Sequence, residues 1–174
     1  MHRNLQWKIG GDVESPLFIA LILKQKVEDL IDECTAGTDI FAVKISVSVS
    51  NEISLLLDSD SGLTLADCKM VSRHIESNFD REEEDFSLTV ASSGLGEPLY
   101  VNRQYLKNIG RKVKVKLLEG EVLEGLMTSA DDQEIMIEWK SREKKPIGKG
   151  KVTVVNKRTI AFSDIKETIV LITF

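Results

Sequence analysis

Two cysteines, three prolines, two histidines and an aromatic content of 6% leave several chemistries with little to work on. Cys34 and Cys68 are far apart and form no C-x-x-C pair, so neither a disulfide framework nor a zinc site is indicated, and a reducing cytoplasm fits. No carboxylate–histidine set has metal-ligand spacing, and no cofactor motif occurs: there is no P-loop, and the Gly94-Leu95-Gly96 run continues into Glu97-Pro98-Leu99, which is no dinucleotide fingerprint. The longest clean apolar run, residues 17–23, falls well short of the roughly 20 residues of a membrane-spanning helix. Asp12 and Glu14 precede it and no small-x-small cleavage site follows, so it reads as the start of a buried helix rather than a signal peptide. His2 and His74 stand apart from any candidate nucleophile, and Ser92 and Ser93 lack the G-x-S-x-G setting of a nucleophile elbow. Nothing here favours an enzyme; a hydrolase using Ser92 or Ser93 is the weakest reading.

What is present is a soluble composition, 42% hydrophobic and 29% charged, over 174 residues, enough for two small domains. The net charge of −5 conceals an asymmetry: residues 1–100 hold 8 Lys/Arg against 18 Asp/Glu, and residues 101–174 hold 15 against 10. An acidic half followed by a basic half implies two surfaces with different partners. The sign changes at VASSGLGEPL, residues 90–99. Two glycines, two serines and a proline there can continue neither helix nor strand, and the stretch reads as a structured joint in which Gly94 and Gly96 supply unusual backbone angles.

Before the joint the period changes along the chain. Ser15-Pro16 opens a helix with proline at its first position. Leu23, Val27, Leu30, Ile31 and Cys34 form one helical face, and Gly37 ends it. Residues 40–50 alternate, placing Phe41, Val43, Ile45, Val47 and Val49 on one side of a strand. A turn at Asn51-Glu52 leads to a second strand through Ile53, Leu55 and Leu57. Thr64 and Asp67 have capping-box spacing ahead of a helix striped by Cys68, Val71, Ile75 and Phe79. A third strand covers residues 86–90. The order helix, strand, strand, helix, strand predicts a three-stranded sheet with both helices on one face.

After the joint, residues 102–109 predict a short helix stopped by Gly110. Strands follow at short spacing: Val113, Val115 and Leu117; residues 122–128, with Gly125 where a strongly bent strand wants no side chain; Ile135, Ile137 and Trp139; residues 152–162, with a bulge expected at Asn156; and 168–174, after one helical turn at 163–165. This pattern predicts a small β-barrel. Residues 141–150, rich in Lys, Arg, Gly and Pro, are expected to be a loop.

The run LTLADCKMVSRHIESNFDREEEDFSLTVASSGLGEPL, followed by YLKNIGRKVKVKL, resembles the RimP family of bacterial ribosome maturation factors. The resemblance spans roughly residues 22–174. It is most specific at the joint, where the family pattern is S-S-P-G-L-D-R-P-L. Ser92, Gly94, Leu95, Pro98 and Leu99 match it, while Ser93, Gly96 and Glu97 stand where the pattern has proline, aspartate and arginine. The resemblance implies an α+β protein of two domains: an α-β-β-α-β sandwich over residues 21–98 and an Sm-like (SH3-like) barrel over 99–174, with 1–20 as an extension. It also implies a non-enzymatic factor that binds the immature small (30S) ribosomal subunit; the first alternative is a generic Sm-like RNA-binding adaptor. The chain is expected to be a cytoplasmic monomer without a cofactor. Its partners would be ribosomal RNA and a basic small-subunit protein near the decoding centre.

The residues themselves offer two binding surfaces. Arg111, Lys112, Lys114 and Lys116 put positive charge opposite an apolar strand face, and Lys140, Arg142, Lys144, Lys145, Lys149 and Lys151 concentrate more in one segment. Such clusters attract phosphate without sequence preference. Few aromatics are available for stacking, so backbone contact is expected over base reading. Glu28, Asp29, Asp32 and Glu33, with Glu82, Glu83, Glu84 and Asp85, would receive a basic protein; the bland alternative is an ordinary solvated helix face.

Overall fold

The computed structural model describes residues 15–80, 85–94, 96–145, 147 and 149–172. The chain divides into two compact units, one ending at Ser92 and the other beginning at Ser93.

In the first unit, Pro16 sits in the first turn of α1 (Pro16–Thr35), where its missing N–H costs nothing. Gly37, at φ +78°, follows the helix. β1 (Ile40–Val47) and β2 (Glu52–Ser59) pair antiparallel across a turn in which Asn51 takes φ +57°. α2 (Leu65–Ser77) opens with the complete capping box: Thr64 accepts from the Asp67 N–H, and the Asp67 carboxylate accepts from Thr64. The chain then returns as β3 (Ser87–Ser92), parallel to β2, giving the order β1-β2-β3. Leu23, Val27, Leu30 and Ile31 of α1 and Val71 and Ile75 of α2 share one core with Ile53, Leu55 and Leu57 of β2, so both helices cover the same sheet face.

Two expectations need correction here. A register shift between Ala42 and Lys44 puts Phe41 opposite Asp58, on the side away from the helices, while Ala42, Ile45 and Val47 face the core. An extra residue in one strand inverts the alternation on one side of it. Val49 lies beyond the strand and is exposed. The apolar run before Leu23 is helical but not buried: Leu17, Ile19, Leu21 and Ile22 are all exposed, and only from Leu23 onward does α1 lie over the sheet.

The second unit starts with α3 (Asn102–Lys107) and continues through β4 (Lys112–Leu117), β5 (Val122–Ala130), β6 (Glu134–Lys144), β7 (Lys151–Ala161), a 3-10 turn at Phe162–Asp164 and β8 (Ile165–Val170). All five strands pair antiparallel in the order β7-β6-β5-β4-β8. Val113, Val115, Leu117, Met127, Ile135, Ile137 and Ile160 build the core on the inner face, which Tyr105 of α3 covers. Arg158, cross-strand from inward-facing Ile137, reaches Glu121 at 2.7 Å, and the Leu118 N–H donates to the Asp164 carbonyl, so the sheet is strongly curled.

The sheet does not close into a barrel: among the described residues no ladder joins β7 to β8. The end of the joint takes the place at the outer edge of β8. Pro98 bridges Ile169, and the Leu99 N–H donates to the Thr168 carbonyl at 2.8 Å. The bulge expected at Asn156 is absent; Trp139–Asn156 is one step of an unbroken β6–β7 ladder. The shifts fall instead between Met127 and Ser129 and between Lys116 and Leu117.

Candidate nucleic-acid interface

The basic segment expected as a loop over residues 141–150 is strand as far as Lys144. The β5–β6 ladder ends at Leu126–Glu138, but the β6–β7 ladder continues to Lys144–Lys151. Residues 139–144 and 151–156 therefore form a two-stranded ribbon, about 20 Å long at ~3.4 Å per residue. Side chains directly opposite one another share a face. One face carries the pairs Lys140–Val155, Arg142–Thr153 and Lys144–Lys151; the other carries Trp139–Asn156, Ser141–Val154 and Glu143–Val152. The only carboxylate within residues 140–151 thus faces away from Lys140, Arg142, Lys144 and Lys151. Lys145 and Lys149 flank the tip, and all six cationic residues are exposed. At the ribbon root Lys157 is held by Glu138 at 3.1 Å.

The β4 lysines lie on the same, outer face of the sheet. Lys112, Leu126, Glu138 and Lys157 are successive cross-strand neighbours there. Their setting differs from that of the ribbon. Lys114 has Glu124 opposite on β5, and Lys116 has Glu167 opposite on β8, so acidic residues alternate with the lysines. Arg111 is exposed just before β4. The ribbon, not β4, presents positive charge undiluted by carboxylates.

The joint is anchored by a residue the sequence reading passed over. Gln104, buried on α3, donates from Nε2 to Ser93 Oγ at 3.0 Å and accepts the Tyr100 N–H on Oε1 at 2.9 Å, bracing the segment that follows the joint. A lone glutamine between Arg103 and Tyr105 gives no motif; only its burial marks it. Ser92 ends β3 opposite Leu57. The positive φ falls on Gly96, at +90°, and not on Gly94. Pro98 and Leu99 are tied to β8, and Leu99 packs on the second core. Leu95 lies outside the described residues.

Of the acidic cluster, Glu82, Glu83 and Glu84 lie outside the described residues. Asp85 is exposed, and its carbonyl accepts from Asn51. On α1, Glu28 lies 3.7 Å from Lys24, Asp29 accepts from Gln25, and Glu33 lies 3.7 Å from His74 Nε2. The first two are local contacts of a solvated helix face, and the third reaches across to α2. Cys68 is buried and Cys34 half-buried, and burial pushes both thiols up. No group of three or more metal-ligating side chains occurs among the described residues, and none of their helices is long and apolar enough to cross a membrane.

Comparison with known proteins fixes the family. The family model for the RimP N-terminal domain matches residues 26–96. A ribosome maturation factor RimP from Christiangramia forsetii is 48% identical over 154 residues, covering 88% of this chain and all of the relative. The chain belongs to the RimP family. Other RimP relatives come from Flavobacterium psychrophilum, 45% identical over 155 residues, and Porphyromonas gingivalis, 30% identical over 152 residues; both are covered over their whole length by 88% and 87% of this chain. The RimP N-terminal match takes in α1 from Lys26, all of β1 to β3 and the joint as far as Gly96, and so covers most of the first unit.

Proposed function

We propose that this chain is a cytoplasmic ribosome biogenesis factor that binds the immature small (30S) subunit and assists its maturation by contact, without covalent chemistry. The observation that carries the RNA contact is the ribbon: Lys140, Arg142, Lys144 and Lys151 on one face, with no carboxylate among them and Lys145 and Lys149 at the tip. Phosphate neutralisation needs only cations at roughly backbone spacing, and a rigid ribbon supplies them without ordering a loop on binding. The acidic first half offers a basic ribosomal protein near the decoding centre a complementary surface, which would speed encounter. An Sm-like reading of the second unit is supported by its short helix followed by five strands in the order β8-β4-β5-β6-β7. Ser93 Oγ is engaged by Gln104, which disfavours a hydrolytic role for it.

Sedimentation of purified protein with immature and mature small subunits across a salt series tests this. Binding should favour immature particles and fall with salt by about 0.7–0.9 log units per log unit of salt for each phosphate neutralised. Replacing Lys140, Arg142, Lys144 and Lys151 together by alanine should flatten that slope by about three. An unchanged slope and affinity would remove the ribbon from the interface.

A further inference from the structure

Residues 145–150 close the ribbon beyond the Lys144–Lys151 pair. The Lys145 N–H donates to the Gly150 carbonyl at 3.2 Å, so cross-strand pairing runs to the last step before the turn. Ile147 stands in that turn at 90% exposure, and among the described residues no large apolar side chain is more exposed. Within residues 140–151 it is also the only large apolar residue. A single apolar side chain on a surface is ordinary. This one is set apart by its place and its neighbours. It sits at the far end of a paired ribbon, and the root residue that packs on the second core, Trp139, lies at the other end. Lys145 precedes it by two residues and Lys149 follows it by two, both exposed, with Lys144 and Lys151 directly behind them.

We infer that Ile147 is a wedge: the ribbon carries it to an RNA helix, where it inserts at a base step interrupted by a bulge while Lys145 and Lys149 meet flanking phosphates. Charge decides the occupant. One apolar group ringed by cations matches a partner that is phosphate outside and apolar within, which describes a base stack. An apolar pocket on a protein would have no need of the cations. Aliphatic side chains presented in this way enter between base steps and partly unstack them. The unstacking cost is least where pairing is already broken. An A-form helix closes its deep, narrow major groove to side chains, so the tip approaches from the wide minor groove. Isoleucine suits the task because β-branching leaves it stiff at χ1, and little freedom is lost on insertion. The inference rests on the RNA-binding reading above. It adds selection of interrupted helices over continuous ones, which phosphate contact by the ribbon does not supply.

The test uses the full chain and two short RNA duplexes that differ only in a single-nucleotide bulge, each with 2-aminopurine beside the bulge position. Stacking quenches this base and unstacking restores its emission. Wild type should bind both duplexes and raise the emission of the bulged one alone. Ile147→Ala removes an exposed side chain and leaves the core untouched. It should bind the bulged duplex on the order of ten-fold more weakly, give no rise in emission at saturation, and bind the continuous duplex as wild type does. Ile147→Leu should behave as wild type, and the four-residue ribbon variant should weaken both duplexes. A full rise in emission with saturating Ile147→Ala overturns the wedge and leaves the ribbon standing. It does so even where that variant loses affinity for immature subunits, a result that would give the tip to a protein partner. A ribbon variant with undiminished binding of the continuous duplex overturns the phosphate contact. Failure of wild type to bind either duplex overturns both.

Discussion

Gly125→Ala is the substitution whose cost can be worked most directly from the structure. Gly125 is buried on β5, where the β6 backbone passes closest. A Cβ built there would stand 2.6 Å from the Glu138 carbonyl oxygen, 3.1 Å from its carbon and 3.4 Å from Trp139 Cβ. Ordinary contact begins near 3.4 Å, so a backbone carbonyl must retreat by about 0.8 Å. It cannot do so alone, because Glu138 pairs with Leu126 on one side and Lys157 on the other. Overpacking of this kind costs roughly 1–3 kcal/mol. The φ at Gly125 is not positive, so alanine also recovers about 0.4–1 kcal/mol of unfolded-state entropy. A net loss of about 1–2 kcal/mol remains, or about 4–16 °C in Tm for a unit of this size. Differential scanning calorimetry on the full chain would read it. The opposite contrast is Gly120, at φ +95° with nothing within 4 Å of its Cβ position. There asparagine should be better tolerated than alanine, because its strain is conformational; at Gly125 asparagine should be worse, because its strain is steric. A Gly125→Ala protein melting at or above wild type would refute the close-approach argument, since only the entropy gain would then be operating.

Two further predictions concern the first unit. Asp39 accepts from the Ser59 hydroxyl at 2.8 Å and the Ser61 N–H at 2.7 Å; hydrogen bonds from Ser61 and then Ser59 hold its carboxyl down to about 2, against an ordinary 3.8. The folded value is the lower one, so this stabilisation is present above about pH 4 and lost as pH falls towards about 2. Asp39→Asn should be less stable at neutral pH and show a shallower loss across that window in urea titrations; an identical acid limb would discount the group. Thr64→Ala removes the hydroxyl half of the capping box and should cost about 0.5–2 kcal/mol, with Thr64→Ser restoring most of it; equal urea midpoints for Thr64→Ala and wild type would show that the box contributes nothing.

The order of elements was readable because each depends on a local signal. Thr64 and Asp67 declare a helix start, and Val113, Val115 and Leu117 alternate cleanly against lysines. What escaped depended on partners distant in sequence. Phe41 looks identical to Ile45 by period and lies on the other face, because a register shift intervenes. The segment Lys140–Lys144 has no apolar alternation, and its strand character comes from pairing with Val152, Val154 and Val155. Lys114 and Lys116 read as a basic stripe until Glu124 and Glu167 come alongside from neighbouring strands. Tyr100 and Phe162, separated by most of the second unit, meet around one pocket only after the sheet curls.

The ribbon also has to be explained as an object that survives in water, since an isolated two-stranded hairpin is marginal at best. Three features hold this one. Its root continues a five-stranded sheet, so β6 and β7 enter it already paired and in register. Trp139, on the face opposite the cations, packs against the second core. On that same face Asn156 Nδ2 donates to Ser141 Oγ at 2.8 Å, and Ser141 donates to Glu143 at 3.1 Å, a short polar chain that ties the two strands together. None of these supports uses Lys140, Arg142, Lys144 or Lys151. Support and charge are therefore segregated onto opposite faces, and the four cations can be removed without touching what keeps the strands together. Mutual repulsion between Lys144 and Lys151, directly opposed, is destabilising in the free protein. A pair of like charges kept at that position is relieved when phosphate lies between them, and the alanine variant should accordingly keep or slightly raise its Tm while losing its salt-dependent affinity. Loss of both together would mean that the lysines serve the fold, and the assignment of this face to RNA would fail.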